Sequence, residues 1–261
     1  MNSKTISNNS SAKLYGIGIG PGEPGLLTLK ALKALEESDV LLIPKATPEK
    51  DSLAYDITKK AFEEFSTYDK IPETEDLIFP MKRNKDELKP YWDKAVDIII
   101  DKLNKNKTVS IITLGDPTLY STYGYLLEII SNTYPNYPVE TIPGIYSFSA
   151  ISSRINLPLV LGDEKVIVIP VEKDIIYKNE LLNYETIVFM KVSSNFEGLL
   201  NQLIEADRTH EAILISRLGQ EQETIVTNLE SLKGKKIDYF STIIVNPRIP
   251  NMVGDQIAKR S

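Results

Sequence analysis

Residues Lys13 to Pro44 read KLYGIGIGPGEPGLLTLKALKALEESDVLLIP, which is a strand, a glycine-rich loop, a helix and a second strand in a single run. That order commits the start of the chain to an α/β fold with a mainly parallel sheet. Leu14, Ile17 and Ile19 suit a buried strand, while Gly16, Gly18 and Gly20 interrupt it, as happens where something comes close to a strand's backbone. The pattern then predicts a helix over Leu26 to Leu35, with Leu26, Leu27, Leu29, Leu32 and Leu35 on one broad apolar face. Val40 to Ile43 follows as an uninterrupted apolar run, expected to be a strand inside the sheet.

Gly20, Gly22 and Gly25 satisfy G-x-G-x-x-G ahead of a helix, so a dinucleotide site has to be weighed first. Such a site needs free backbone N–H groups in the loop and an acid at the end of the second strand. Here Pro21 and Pro24 remove two donors, Glu23 puts negative charge where a phosphate would sit, and the second strand ends in Pro44-Lys45. The loop is built to receive something other than a phosphate.

The rest of the chain continues the alternation. Helical patterns cover Asp51 to Phe65 and Leu88 to Leu103, the latter with Trp92, Val96, Ile99, Ile100 and Leu103 facing the core. A short strand is expected at Ile78 to Pro80, leading into a basic loop at Lys82-Arg83, and a buried strand at Thr108 to Leu114. A helix is expected from Leu119 or Ser121 to Ile130, a strand at Val139 to Ile142, and a helix of small residues from Ser147 to Ile155. A second series starts near Lys165. It comprises a strand to Pro170, a helix over Asp174 to Leu182, a strand over Thr186 to Val192, a helix over Asn195 to Ile204 and a strand over Ala212 to Leu218. The strand-like runs Glu223 to Asn228 and Tyr239 to Asn246, with only a short helix at Leu229 to Leu232 between them, imply antiparallel pairing and a mixed sheet. No internal repeat is evident. The division expected is a disordered leader over 1–12, a first α/β domain over 13–145 and a second over 146–261.

Composition narrows the chemistry. The 261 residues carry a net charge of −6, with 42% hydrophobic and 25% charged residues, as in a soluble globular protein without a general nucleic-acid surface. There is no cysteine, which rules out disulfides and thiolate metal sites. The single histidine, His210, lies in a polar connection and reads as a surface residue, which argues against a zinc enzyme or a Ser-His-Asp hydrolase. No protein-bound metal is expected. No apolar run reaches the roughly 18 residues that a membrane span requires, and the first dozen residues lack the apolar core of a signal peptide. A cytoplasmic location is the expectation.

Two further turns sit where ligands bind in open α/β sheets, at the carboxyl ends of strands. Gly115-Asp116-Pro117-Thr118-Leu119-Tyr120-Ser121-Thr122 follows the strand ending at Leu114, although Asp116 could simply cap the helix after it. Pro143-Gly144-Ile145-Tyr146-Ser147-Phe148-Ser149 follows the strand ending at Ile142.

These segments together resemble the tetrapyrrole methyltransferase family: Tyr15 to Pro24 with Leu26-Leu27-Thr28, Gly115-Asp116-Pro117 with Tyr120-Ser121-Thr122, and Ile142-Pro143-Gly144-Ile145 with Ser147-Phe148-Ser149. Leu159 to Glu164, Phe189-Met190-Lys191 and Ser241 to Val245 extend the similarity over nearly the whole chain after residue 12. Within the family the combination is most similar to the precorrin-2 C20-methyltransferase subgroup of cobalamin biosynthesis, including its cobalt-precorrin-2 (cobalt-factor II) form.

The resemblance implies two α/β domains with an active-site cleft between them, S-adenosyl-L-methionine as co-substrate, a tetrapyrrole substrate and a homodimer. Any cobalt would belong to the substrate. Carried over by motif, Pro21 touches the cofactor, while Leu114, Gly115 and Asp116 hold its methionine part mainly through backbone groups. Leu119, Ser121 and Thr122 complete that wall, Tyr146 and Ser147 flank it, and Met190, Leu218 and Thr242 surround the adenine. Tyr146 departs from the small Thr or Ser side chains common at its position.

The residues agree with this on physical grounds. A sulfonium cofactor is positive at its reactive centre and carries no phosphate, so prolines, carbonyls and nearby carboxylates such as Glu23 and Asp116 suit it better than an N–H nest. Methyl transfer is an in-line displacement whose acceleration comes largely from positioning. A meso carbon of a reduced tetrapyrrole is itself the nucleophile, so neither metal nor histidine is demanded. Loss of the C20 proton needs an acceptor, for which Asp116, Tyr120, Tyr146 and water all remain open. Lys45, Lys82, Arg83, Arg154, Lys191 and Arg217 lie near strand ends or loops and could meet the substrate's carboxylates. Two other readings stand beside this one: a family member acting on a different tetrapyrrole carbon, and a non-catalytic nucleotide-binding module.

Overall fold

The computed structural model describes residues 12–67, 71–82 and 84–251. The expected leader falls on 1–12, of which 1–11 lie outside the described residues, as does Arg83. The chain divides into two compact units, 1–145 and 146–261.

The first unit is a parallel five-stranded sheet. In chain order its elements are β1 (Leu14–Gly18), α1 (Leu29–Glu36), β2 (Val40–Lys45), α2 (Leu53–Phe65), β3 (Glu73–Ile78), α3 (Lys85–Asn104), β4 (Val109–Thr113), α4 (Tyr123–Thr133) and β5 (Val139–Ile142). The strand order is β3-β2-β4-β1-β5. Side chains alternate across the strands, and two cores result. Tyr15, Ile17 and Ile19 join α1 and α2 on one face, while Leu14, Val109 and Ile111 join α3 and α4 on the other. On α3 all five side chains predicted to face the core are buried, and Trp92 stacks on Tyr125 with ring centroids 4.2 Å apart.

α1 starts later than its leucines indicate. Pro24–Leu26 forms a 3-10 turn, and the helix opens only at Leu29, capped by Thr28, whose hydroxyl accepts the Ala31 N–H at 3.1 Å. The buried residues of α1 are therefore Ala31, Ala34 and Leu35, and Leu29 is 86% exposed. The glycine loop does not run straight into a helix, as the dinucleotide fingerprint requires. β3 also differs from expectation, since it spans the charged stretch Glu73–Ile78 and not Ile78 to Pro80. As an edge strand it pairs on one side only, which tolerates Glu73, Glu75 and Asp76.

The second unit contains α5 (Ser147–Arg154), β6 (Val166–Pro170), α6 (Lys178–Asn183), β7 (Thr186–Met190), α7 (Phe196–Glu205), β8 (Ala212–Ser216), β9 (Thr224–Val226) and β10 (Ser241–Val245). Its sheet has the order β6-β7-β10-β8-β9 and is mixed, with β6 and β7 parallel and the other pairs antiparallel. One face packs on α6 and α7 through Phe189, Phe196, Leu199 and Leu203. The other packs on α5 through Ile151, Val188, Ile213 and Ile244. Left-handed residues set the element ends. Asp174 at φ 62° keeps α6 from starting where the pattern predicts, and Lys191 at φ 55° ends β7 at Met190.

Candidate active site

In the first unit the chain leaves β1 toward the face of α1 and leaves β4 toward the face of α4. Because β1 and β4 are neighbours, their loops part in opposite directions at the carboxyl ends of the strands, where ligands bind in open α/β sheets. β5 flanks β1, so its following turn arrives at the same place.

Four glycines lock these three loops together. Gly115 donates its N–H to the Gly20 carbonyl at 2.7 Å, and Gly20 donates back at 3.3 Å, a single antiparallel bridge between two residues at φ 72° and 79°. Gly18 and Gly144 are glycines for lack of room. A Cβ on Gly18 would stand 2.6 Å from the Gly144 nitrogen and 2.7 Å from the Gly115 oxygen, and one on Gly144 would overlap that same oxygen. Gly16 is filled by protein too, since its missing side chain makes space for the ring of Tyr123. The Tyr123 hydroxyl lies 2.8 Å from Thr141 Oγ1 on β5, and burial pushes the phenol's pKa up, holding it neutral. The close approach anticipated from the glycines of β1 is thus made by the chain's own backbone and one tyrosine.

Asp116 is buried, and both of its carboxylate oxygens have partners. One accepts the Thr118 N–H at 2.8 Å and the Thr118 hydroxyl at 2.5 Å; the other accepts the Gly144 N–H at 2.9 Å. The carboxylate ties the β4 loop to the β5 turn. Pro21 is buried in the first loop, and Leu114 and Leu119 are half-buried. The Ser121 hydroxyl sits 3.0 Å from Thr113 Oγ1 and accepts the Tyr123 N–H at 3.1 Å, so it anchors the start of α4. Thr122 is the N-cap of α4 without a side-chain capping bond, and Tyr120 is exposed at φ 52°, which delays the helix until Tyr123. The first-unit members of the predicted set, Pro21, Leu114, Gly115, Asp116, Leu119, Ser121 and Thr122, therefore fall on loops that touch one another.

In the second unit Tyr146 precedes α5, and its ring stacks on Phe148 with centroids 5.1 Å apart. Between them, the Ser147 hydroxyl oxygen is buried without a hydrogen-bond partner, an arrangement that costs free energy unless a ligand supplies the bond. Met190 and Leu218 pack with Phe148 on the α5 side of the sheet. Thr242 alternates with Ile243 and shares that side with Ile244, so the three predicted adenine contacts lie on one face.

The basic candidates are mostly occupied. Lys45 pairs with Asp76 at 2.7 Å, Lys82 with Glu87 at 2.7 Å, Arg154 with Glu223 at 2.8 Å and Arg217 with Asp238 at 2.8 Å. Lys191 is exposed in its left-handed turn, and His210 is exposed as expected. Among the described residues no group of three or more His, Cys, Asp or Glu side chains could hold a metal ion, and no helix is long and apolar enough to cross a membrane.

Sequence reasoning quoted Gly144 and Thr118 within the two turns but gave neither a role in tying the loops, and it gave none to Glu223, which pairs with Arg154. Asp-x-Thr is a recognisable Asx-turn signal, but nothing local foretells that Gly144 faces Gly115 or that Glu223 reaches Arg154.

The family model for Tetrapyrrole (Corrin/Porphyrin) Methylases matches residues 13–233. A protein named "Probable cobalt-precorrin-2 C(20)-methyltransferase" from Methanocaldococcus jannaschii is 32% identical over 91% of this chain and 97% of its own length. The cobalt-precorrin-2 C(20)-methyltransferase of Salmonella typhimurium is 30% identical over 90% and 97%. Among solved structures, a cobalt precorrin-4 methyltransferase superimposes with a TM-score of 0.67 at 20% identity, covering 90% of this chain and 94% of that one. A uroporphyrin-III C-methyl transferase from Thermus thermophilus, complexed with S-adenyl homocysteine, does so with a TM-score of 0.64 at 17% identity, covering 90% and 98%.

Proposed function

Because the chain belongs to the tetrapyrrole (corrin/porphyrin) methylases and is a methyltransferase of that family, we propose that it methylates C20 of precorrin-2 or its cobalt form in cobalamin biosynthesis. The observation that carries this reading is the identity of 30–32% to relatives bearing that name, over 90–91% of this chain and 97% of theirs. The co-substrate is S-adenosylmethionine, which when bound supplies a methyl group on a positively charged sulfur.

The residues present suit that donor. The loops of the first unit are held by carbonyl and amide pairs between glycines and by a buried carboxylate. The second unit keeps a buried hydroxyl at Ser147 in want of a partner. In this reading Pro21, Leu114 and Gly115, with Leu119, Ser121 and Thr122, form the wall for the methionine part. Tyr146 and Ser147 flank it, and Met190, Leu218 and Thr242 meet the adenine. Asp116 serves by fixing two loops. Its oxygens take three hydrogen bonds, and Asp116, Tyr120, Tyr146 and water all stay open as acceptors of the C20 proton. Catalysis then rests on alignment of the methyl carbon with the meso carbon, the part of the barrier that rigid positioning can remove.

The enzyme is proposed to work in the cytoplasm as a homodimer, an assembly inferred from the family resemblance, which sedimentation of the pure protein would test. The decisive assay incubates the protein with S-adenosylmethionine and either cobalt-sirohydrochlorin or metal-free precorrin-2, followed by mass spectrometry and assignment of the methylated carbon. One methyl at C20 is expected. Methylation of a different carbon, or of uroporphyrinogen III, would place the chain elsewhere in the family.

A further inference from the structure

Glu223 lies outside every motif named above, yet both of its carboxylate oxygens are engaged within the second unit. It sits just before β9, its side chain is only 12% exposed, and its two oxygens hold different parts of the fold. One accepts the Gly219 N–H at 2.7 Å, and the other accepts Nε of Arg154, the last residue of α5, at 2.8 Å. Its own N–H donates to the Gln220 carbonyl at 3.0 Å, and Gln220 donates to the Arg217 carbonyl at 3.0 Å.

The loop it braces has an unusual backbone. Arg217 at φ 53° and Gly219 at φ 74° both adopt the left-handed region, one on each side of Leu218. A non-glycine residue there is strained and persists only where its surroundings enforce it. Arg217 is enforced from the β10 side, where its N–H donates to the Phe240 carbonyl at 2.9 Å and its Nε to Asp238 at 2.8 Å. Gly219 is held by Glu223. Leu218 is thus clamped between two tethered neighbours, with its side chain in the cluster that contains Phe148, Met190 and Ile151.

We propose that Glu223 is a positioning residue for the co-substrate: its carboxylate fixes Leu218 against the sheet face and, through Arg154, ties that loop to α5, whose first turn carries Ser147. The inference rests on the reading that Leu218 and Ser147 meet S-adenosylmethionine. The strand pairing of β8 with β9 stands on its own ladder from Leu214 to Ser216. Losing the carboxylate therefore frees the loop without dissolving the sheet.

The test is calorimetric binding of S-adenosylmethionine, well below the melting temperature, to the full chain and to Glu223→Ala, Glu223→Asp, Arg154→Ala and Leu218→Ala. Loss of a charged acceptor for two donors should weaken binding by Glu223→Ala about tenfold. KM for S-adenosylmethionine should rise in step, while KM for the tetrapyrrole stays within about twofold. Glu223→Asp, which keeps the charge, should recover most of the affinity, and Arg154→Ala should fall between. A merely structural role would lower the melting temperature while leaving the affinity of the folded protein intact, and that result overturns the proposal. If Glu223→Ala fails to fold, Glu223→Gln, which keeps the size and one acceptor, takes its place with the same expectation at reduced size. Weaker binding by Leu218→Ala with unchanged binding by Glu223→Ala refutes the positioning role alone. Unchanged binding by Leu218→Ala refutes the cofactor-site reading beneath it.

Discussion

Replacing Gly144 with alanine sets a methyl group where main chain already lies. Built on the present backbone, the new Cβ overlaps the Gly115 carbonyl oxygen and stands 2.9 Å from the Cα and carbonyl carbon of Gly18. None of these atoms can rotate away, so one of the loops has to shift. Gly144 also gives its N–H to Asp116 at 2.9 Å, and the shift that relieves the overlap stretches this bond. Overpacking costs about 1–3 kcal/mol and a hydrogen bond to a buried carboxylate roughly 1.5–3 kcal/mol. The expected loss is about 3–5 kcal/mol, which lowers the melting temperature of a chain this long by about 10 °C. Gly124 is the internal control, since it lies in the first turn of α4 with nothing within 4 Å of an added methyl, and alanine there should stabilise by about 0.5 kcal/mol. Scanning calorimetry reads both variants, and titration with S-adenosylmethionine reads the site. Gly144→Ala should bind at least about tenfold more weakly, because Gly18, Gly20, Gly115 and Asp116 move as one piece. A Gly144→Ala protein within about 1 kcal/mol of the parent, binding equally well, would refute the interlock as the device that holds the loops.

Two further outcomes follow from the same bonds. Asp116→Ala removes all three acceptor contacts and should cost about 3 kcal/mol and most of the cofactor affinity; Asp116→Asn, which keeps one oxygen, should cost about half. Unchanged affinity by calorimetry in the alanine variant contradicts the role given to that loop. Glu140 on β5 bonds Lys30 at 2.7 Å and Lys13 at 3.2 Å, which hold its carboxyl below the ordinary value of 4.5. A pKa depressed by folding stabilises above that value and is lost as the pH falls through the folded one. With a third of each of the Lys13 and Glu140 side chains exposed, the effect stays below about 1 kcal/mol. Stability curves of Glu140→Gln and the parent should stand apart above the ordinary value of 4.5 and draw together as the pH falls through the lowered one; parallel curves dismiss the linkage.

The fold was legible because hydrophobic period and turn chemistry agreed along most of the chain. α3 announced its buried stripe at 92, 96, 99, 100 and 103, and the scarcity of helix near the end announced a mixed sheet, although β9 and β10 do not pair with each other as expected, because each lies antiparallel to β8 between them. Failures came where a stronger local cap or a long-range pairing overrode the hydrophobic pattern. Five leucines after Gly25 looked like a helix face, but Thr28 supplies a better cap than anything before it, so the 3-10 turn takes the first of them and Leu29 points outward. β3 hid because an edge strand can be acidic. In the site, the string of glycines marked the right loops for an incomplete reason. Gly16 and Gly18 are required by Tyr123 and by the neighbouring turns, contacts that no local reading of β1 contains.

The same distinction applies to the charges. Four of the six basic residues chosen for lying near strand ends are paired with carboxylates, Lys45 with Asp76, Lys82 with Glu87, Arg154 with Glu223 and Arg217 with Asp238. For Arg154 and Arg217 the partner has a second task, since Glu223 also holds Gly219 and Asp238 also accepts the Phe240 N–H. A polycarboxylate that recruited either arginine through its remaining N–H groups would share the cation with the brace that shapes the Leu218 loop. Position at a strand end selects for both uses, anion binding and loop anchoring, because both exploit backbone that has left the sheet with its polar groups unpaired. What separates them is whether the cation already has a carboxylate of its own. By that criterion Arg154 and Arg217 belong to the scaffold of the second unit.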